Sequence, residues 1–342
     1  MTRQSLHRTF FVAHPGSELY GSDRVMLESV SALVEAGARV VVLLISSGPL
    51  VREIEARGGS VRYLATPVLR KSMLTPRGIL QLVRLSVTGL RAGRKLVREL
   101  RPSAIYVSTL TVPLWIAIGR INRIPVLCHV HEAEGSANPL LRKALAAPLS
   151  FANRIVANSR FSVAVLERSN TRAGCRAQVV YNSVPGPDTA TLGDERPGLR
   201  VVYIGRLSPR KGVDVAVDAV GELQRRGVDA TLSIVGDVFP GYEWYREELR
   251  GRAATQGLVG QVEFHGFQPE VWPYLISADV VVVPSRVDEP FGNTAVEAIL
   301  AARPLIVSDT SGLREAAAGY SSAQYVTAGN VGDIALALER YS

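Results

Sequence analysis

The sequence predicts an α/β protein made of two doubly wound, Rossmann-like domains facing each other across a cleft. Three observations carry that prediction. Short apolar, β-branched runs alternate with amphipathic helical stretches along nearly the whole chain, the rhythm of parallel sheets covered on both faces. At 342 residues the chain exceeds what one hydrophobic core ordinarily organises and suits two domains. Near the middle, "NSVPGPDTATLGDERPG" (182–198) loses periodicity and gathers Pro, Gly, Asp and Thr, as a linker does. The division that follows is a first domain over 1–183, a linker over 184–198 and a second domain over 199–342.

In the first domain the β-branched and aromatic runs "TFFVA" (9–13), "RVVVLLI" (39–45), "SVRYL" (60–64), "AIYVS" (104–108), "PVLCHVH" (125–131) and "RIVANS" (154–159) read as strands. Between them, helical periodicity is expected near 22–36, 76–100, 138–150 and 160–168. Thr75-Pro76 is a favourable start for the longest of these, because proline at the first helical position removes a donor that would have no partner. The second domain repeats the pattern with strands "LRVVYIG" (199–205), "ATLSIVG" (230–236), "QVEFHG" (261–266), "DVVVVPS" (279–285) and "PLIVSD" (304–309). Its helices are expected near 211–226, 243–256, 293–302 and 331–341. In such folds ligands meet the carboxyl ends of the strands.

Composition narrows the class. The chain is 47% hydrophobic and 20% charged, as soluble globular proteins are. Its two cysteines, Cys128 and Cys175, lie far apart in no metal-type spacing, which suits a reducing compartment. The start "MTRQSLHRTFFVAHPG" has no apolar core of a secretory signal, and no apolar run approaches a membrane span. A cytoplasmic location is therefore expected. Charge is unevenly spread: residues 1–183 hold 25 Lys and Arg against 10 Asp and Glu, a net of +15, while residues 184–342 carry −7. The first domain is built to meet something anionic.

The most informative segment is "DEPFGNTAVEA", Asp288 to Ala298. Pro290 disfavours helix at Glu289, Phe291-Gly292 makes a turn, and a helix starts near Asn293 and Thr294. That helix offers free N–H groups and the positive end of its dipole to a phosphate, with Glu297 about one turn inside. In "YIGRLSPRKG" (203–212) a strand runs into Gly205, then Arg206, a short loop, Lys211 and another helix start, a receptor for anions. Two helix starts and two cations in one domain point to a diphosphate. A glutamate cannot usefully bind phosphate, so Glu297 is expected to take ribose hydroxyls and Glu289 another polyol such as a sugar. Read without the rest of the domain, Arg206 and Lys211 could equally be solvated loop cations.

In "HVHE", His129 and His131 are two apart on a strand and face one side. His131, at the strand end, is expected to position substrate, and His129 to be a satisfied core histidine; no fourth ligand supports a metal. In "HPGSELYGSDR", Ser22-Asp23 replaces the Lys-Ser/Thr that a P-loop needs, leaving Gly21 as a point of close approach. No Gly-x-Gly-x-x-Gly follows a strand, which disfavours a dinucleotide oxidoreductase.

Together, "GRLSPRKG", "VVVPSRVDEPFG" and the Glu-x7-Glu spacing resemble the retaining glycosyltransferases of GT-B fold that use nucleotide-sugar donors, glycosyltransferase family 4 (glycosyl transferases group 1). "YGSDRVMLES" is similar to a Gly-Gly-Ala-Glu-Arg-Val segment common in that family, and "VHE" at 130–132 to its histidine region. The resemblance implies that Arg206 and Lys211 bind the donor diphosphate and stabilise departing charge. It places Glu289 on the donor sugar, Glu297 on the ribose and His131 near the reaction centre, with Gly21, Gly205, Phe291, Gly292, Asn293 and Thr294 lining the donor. It further implies a hexosyltransferase that needs no metal or other cofactor; no Asp-x-Asp occurs in the chain. The family's transfer retains anomeric configuration, usually discussed as front-face attack with the leaving phosphate taking the acceptor proton. Cell-envelope glycan or lipid-linked acceptors, and polysaccharide biosynthesis, are the family-level expectation. Members are usually longer, with a helix that crosses back to the first domain, whereas this chain stops at "GDIALALERYS". Two other readings stay open: a nucleotide-sugar epimerase of the same fold, and a protein that binds nucleotide-sugar without turning it over.

The segment "TPRGILQLVRLSVTGLRAGRKLVREL" (75–100) adds a possible partner. Arg77, Arg84, Arg91 and Arg98 recur every seven residues as one cationic stripe, widened by Lys95, with Ile79, Leu82, Val83, Leu90, Leu96 and Val97 as apolar surface. It reads as a solvated face or as a peripheral contact with the anionic inner face of the plasma membrane, which Arg142 and Lys143 could join. Few aromatics accompany these cations and no nucleic-acid motif appears, so nucleic acid is not expected.

Overall fold

Seven strands, all paired in parallel, form the first sheet in the order β3-β2-β1-β4-β5-β6-β7. The structure, a computed structural model, describes residues 8–69, 75–132, 138–187 and 196–342. By its contacts the chain divides into two units, Met1–Ser183 and Val184–Ser342. Residues 188–195 of the expected linker lie outside the described residues.

In the first unit the chain runs β1 (Thr9–Ala13), α1 (Gly21–Glu35), β2 (Arg39–Leu44), α2 (Leu50–Ala56), β3 (Ser60–Tyr63), α3 (Pro76–Leu100), β4 (Ala104–Val107) and α4 (Leu114–Ile121). It continues through β5 (Val126–Val130), α5 (Pro139–Ala146), β6 (Arg154–Ala157), α6 (Arg160–Ser169), α7 (Thr171–Gly174) and β7 (Ala177–Val179). Chain order reverses between β1 and β4, the switch point of a doubly wound sheet. Both faces of β1 are covered. Phe11 and Ala13 join one apolar cluster with Trp115 and Ile118 of α4, while Val12 joins another with Met26 and Val30 of α1.

α3 follows the expected bounds and sits close on α4 because its inward face carries glycines. A Cβ at Gly89 would lie 2.9 Å from Leu114, and one at Gly93 would lie 2.6 Å from Ile118. The outward face differs from the expectation in detail. Ile79, Leu80, Val83 and Val87 are exposed beside Arg77, Arg84, Arg91, Arg94, Lys95 and Arg98, whereas Val97 is buried and Leu82, Leu90 and Leu96 are half-buried. A helix turns 100° per residue, so Val97 falls on the packed side, away from the stripe with which it had been grouped.

The second unit runs β8 (Leu199–Ile204), α8 (Val213–Arg225), β9 (Ala230–Val235), α9 (Glu243–Thr255), β10 (Val262–Gly266) and α10 (Trp272–Ser277). Then come β11 (Val280–Val283), α11 (Asn293–Leu300), β12 (Leu305–Ser308), α12 (Ser311–Ala316), β13 (Ala323–Val326) and α13 (Val331–Leu338). The sheet is parallel in the order β10-β9-β8-β11-β12-β13, with the switch point between β8 and β11. Its two faces are filled by α8, α9 and α13 on one side and by α10, α11 and α12 on the other.

Beside the switch point, just past the ends of β8 and β9, two backbones come unusually near. Gly236 has φ +137°, and a Cβ there would lie 1.9 Å from the carbonyl oxygen of Gly205. No side-chain rearrangement can relieve a clash with backbone. Gly236→Ala is therefore expected to cost about 1–3 kcal/mol in dihedral strain alone and to lower the melting temperature by several degrees, read by circular dichroism. A variant that melts with the wild type would show that the two loops can part freely.

Candidate functional site

The carboxyl ends of β8 and β11 carry the candidate site of the second unit. After β8, Gly205 adopts φ +148° and its N–H bonds Val235 O at 2.9 Å. Arg206 follows, its carbonyl held by the Tyr203 hydroxyl at 2.9 Å. A single 3-10 turn, Pro209–Lys211, then brings the chain to Gly212, which has φ +66° and caps α8. A Cβ at Gly212 would stand 2.0 Å from Pro284 O, so only glycine lets this loop lie against the end of β11. Arg286 N donates to Arg210 O at 2.9 Å, and the Arg286 guanidinium pairs with Asp214 of α8, which also takes the Tyr245 hydroxyl at 2.9 Å. The loops after β8 and β11 are thereby one interlocked structure.

Lys211 and Glu289 meet inside it. Lys211 Nζ donates to Glu289 Oε2 at 2.9 Å, and Ser285 Oγ donates to Oε1 at 2.9 Å. Glu289 is buried, 8% exposed, while the Lys211 side chain keeps 36% of its surface, so the carboxylate lies deeper than its cation. A mostly buried carboxylate needs such partners, since an unpaired one costs several kcal/mol (about 3–5). The field of Glu289 reaches the strand beneath: burial first, then this negative charge, push the Tyr203 hydroxyl well above its ordinary range.

The Glu289 loop closes on α11. Gly292, φ +127°, leaves room for Leu313, whose Cδ2 would lie 2.5 Å from a Cβ there. Thr294 Oγ1 donates to Ile204 O at 3.2 Å, tying the helix start to the end of β8. Phe291 is buried, and Asn293 and Glu297 are half-buried on α11, Glu297 one turn from its start. The structure thus joins Lys211 directly to Glu289 and binds Thr294 to the β8 end beside Gly205. Two contributors escaped the sequence reading. Ser285 was read as the end of a strand, although it is the second donor to Glu289. Gly312 allows α12 to touch this loop, for a Cβ there would lie 2.2 Å from Glu289 O. Its spacing from Glu289 carries no local signal.

In the first unit the expected residues fall at the end of β5 and the start of α1. Gly21 is the exposed first residue of α1. His131 lies just beyond β5, buried, with its ring 3.9 Å from that of His129. His129 Nδ1 bonds the Tyr106 hydroxyl at 2.7 Å, but its Nε2, like that of His131, is buried with no hydrogen-bond partner among the described residues. The expectation of a satisfied core His129 is therefore corrected: among the described residues one ring nitrogen has a partner and the other has none. Glu132 folds back to accept from Leu110 N at 3.3 Å and His131 N at 3.2 Å, which bends the chain at the strand end. Beside these lies a histidine the sequence reading passed over. His14, directly after β1, bonds Ser108 through Nδ1 at 2.6 Å and Asp23 through Nε2 at 2.7 Å, and Asp23 also accepts from Tyr20 N at 2.8 Å. Its place at a strand end was a signal; its partner Ser108, 94 residues away, was not. Among the described residues, no group of three or more His, Cys, Asp or Glu is arranged to hold a metal ion, and no helix is long and apolar enough to cross a membrane.

Comparison with known proteins shows the family and the fold. Residues 20–185 match the family described as Glycosyltransferase Family 4, and residues 198–342 match Glycosyl transferases group 1. An alpha-D-kanosaminyltransferase of Streptomyces kanamyceticus is 36% identical over 124 residues, 36% of this chain and 30% of that protein. A GDP-mannose-dependent alpha-(1-6)-phosphatidylinositol dimannoside mannosyltransferase of Mycobacterium tuberculosis is 31% identical over 246 residues, 66% of this chain and 61% of its own. Both matches span less than two thirds of the relative's length. Among solved structures, Anabaena Alr3699/HepE in complex with UDP and glucose superposes with a TM-score of 0.80 at 21% identity, covering 98% of this chain and 89% of that one. That likeness establishes the GT-B fold.

The paired histidines give a pH-dependent signature. Burial pushes His129 from 6.5 down to about 4, and burial with the neighbouring His129 and His14 pushes His131 well below its ordinary range. Between those two values for His129 the unfolded chain binds a proton that the folded chain does not, so its contribution to stability rises with pH and is lost on acidification. Glu132, raised by burial, works in the opposite direction, so the comparison must be with a variant. His129→Asn keeps a polar group near Nδ1 and removes the titration. Its urea midpoint is expected to rise less steeply than that of the wild type across this window; parallel curves would refute the assignment.

Proposed function

The chain belongs to glycosyltransferase family 4, the group 1 glycosyl transferases, and from that premise we propose that it moves a hexose from a nucleoside-diphosphate-sugar to a glycan or lipid-linked acceptor of the cell envelope. The observation that carries the proposal is the Lys211–Glu289–Ser285 constellation. A phosphate that approaches Lys211 and a sugar hydroxyl that approaches Glu289 must be neighbours, as the β-phosphate and the sugar ring of one donor are. The second unit is the donor half in this reading and the first unit the acceptor half.

In the reaction the bond between the anomeric carbon and the β-phosphate oxygen breaks while the acceptor oxygen bonds to the same carbon. Negative charge grows on the departing diphosphate, where Arg206, Lys211 and the N–H groups at the start of α11 are set to stabilise it, with no metal required. Fixed donors of this kind are each worth about 10²–10³ in rate. Glu289 holds the sugar, Glu297 the ribose, and His131, buried and neutral, accepts or donates a hydrogen bond to the sugar through its Nε2, which has no partner among the described residues. Attack from the leaving-group face, with the acceptor proton passing to the phosphate, gives retention without a protein base. UDP on the Anabaena structure supports a nucleoside diphosphate as the leaving group.

Calorimetric titration with UDP, GDP, ADP and dTDP, each with and without EDTA, tests the donor half: one should bind, indifferent to EDTA. Lys211 is the partner of Glu289, so Glu289→Ala frees the lysine. That variant is expected to lose transfer while binding the bare diphosphate as well as, or better than, wild type. Glu297→Ala should weaken both. Full transfer by Glu289→Ala would remove this carboxylate from the mechanism.

The outward face of α3 suits a peripheral contact with anionic lipid, its exposed apolar residues flanked by arginines. Reversing Arg84 and Arg91 to glutamate should abolish co-sedimentation with phosphatidylserine-containing vesicles and leave circular dichroism unchanged. Equal sedimentation of variant and wild type would make α3 an ordinary solvated face.

A further inference from the structure

We infer that Phe239 is a positioning residue for Arg206, the platform that fixes the plane of the guanidinium that meets the diphosphate. The inference rests on the reading of Arg206 as a diphosphate cation. The Arg206 Cζ lies over the Phe239 ring, 3.6 Å from its centroid. At that separation a steeply tilted guanidinium would drive a nitrogen into the ring, so the group lies close to flat on it. Flat stacking covers one face of the guanidinium and leaves its N–H groups pointing out of the edge, where bidentate contacts to phosphate oxygens form.

The platform is itself anchored, as a positioning device must be. Phe239 sits in the loop after β9, the strand that pairs with β8. Ahead of it, Asp237 O accepts from Leu207 N at 3.0 Å, which links the two loops directly. The Asp237 carboxylate accepts from Val238 N at 2.7 Å and from Arg246 of α9 at 2.9 Å. Behind it, Phe239 O accepts from Tyr242 N at 2.9 Å, closing a turn. On the other side, Gly205 and the Tyr203 hydroxyl fix the backbone of Arg206. The arginine is therefore held at its backbone by β8 and at its tip by β9. A long side chain with large rotamer freedom is delivered in one orientation, and the ring excludes water from one face of its charge.

This role separates Phe239 from a residue that merely fills space. A filler would be replaced by any apolar side chain of similar size; a stacking platform needs an aromatic ring.

The test is a double-mutant cycle on nucleoside-diphosphate affinity, using whichever of UDP, GDP, ADP and dTDP the wild-type protein binds most tightly. Phe239→Leu is expected to weaken binding by roughly threefold to thirtyfold, and Phe239→Tyr to restore it. In the Arg206→Ala background, Phe239→Leu should have no further effect. Melting temperatures of the four proteins show whether each is folded. Two outcomes overturn the inference: Phe239→Leu binds as wild type while Arg206→Ala is impaired, or Phe239→Leu costs the same with and without Arg206. If Arg206→Ala itself leaves affinity unchanged, the reading of Arg206 fails first, and that result is distinguishable from the other two.

Discussion

A carboxylate that is buried in the second unit must be paired, and the architecture around Glu289 follows from that constraint. Its two donors, Lys211 and Ser285, come from the loops after β8 and β11, the strands on either side of the switch point. Bringing those loops together requires that backbone lie on backbone. Hence glycine at 212 against Pro284 and, from α12, at 312 against Glu289 itself. The glycines are thus consequences of the ion pair's position, each removing a side chain where a loop must pass. A different side chain at any of them would act on Glu289 through the loop that carries it.

The first unit solves a comparable problem with neutral groups. His129 and His131 stack at the end of β5, one hydrogen-bonded to Tyr106, both with a ring nitrogen that no atom of the described residues satisfies. Burial keeps them uncharged, which makes the orphaned nitrogens tolerable, because a neutral imidazole loses far less than an ion when it leaves water. His14 sits in the same polar layer but is engaged at both nitrogens, by Ser108 and Asp23. The contrast is instructive: a histidine satisfied on both sides holds the loop between β1 and α1, and the ones left partly unsatisfied are those able to take a new partner.

How much of this the sequence discloses depends on how local the cause is. The central strands were legible because each is a run of β-branched residues buried on both faces, and α3 because Thr75 and Pro76 mark its start and its apolar period runs unbroken. The edge strands β7 and β13, reading "AQV" and "AQYV", were missed, since a short edge strand owes its structure to a neighbour more than to its own pattern. The short helices α2, α4, α10 and α12 were missed for a related reason: at six to eight residues they show barely two turns of periodicity. The site divides in the same way. Glu289, Gly292, Asn293 and Glu297 share one segment whose turn chemistry is readable. The Lys211–Glu289 pair spans 78 residues, and Ser108 meets His14 across 94. Only topology could bring those together.

The ion pair has a consequence for how a donor would be received. A phosphate needs a cation, and Lys211 already has an anion, so binding is an exchange of partners rather than the capture of a waiting charge. The exchange is economical only if Glu289 gains something when its lysine turns toward phosphate. Ser285 stays on one oxygen, and a sugar hydroxyl donating to the other would replace part of what the lysine supplied. Diphosphate alone offers no such donor. In the proposed reading the arrangement therefore favours a ligand that brings phosphate and hydroxyl together, and it disfavours the bare diphosphate by comparison. In the same reading, Arg206 stacked on Phe239 makes the complementary contribution, a cation whose orientation is set beforehand by an uncharged ring. One cation that discriminates and one whose orientation is fixed is a physically coherent division of labour for the donor site proposed above.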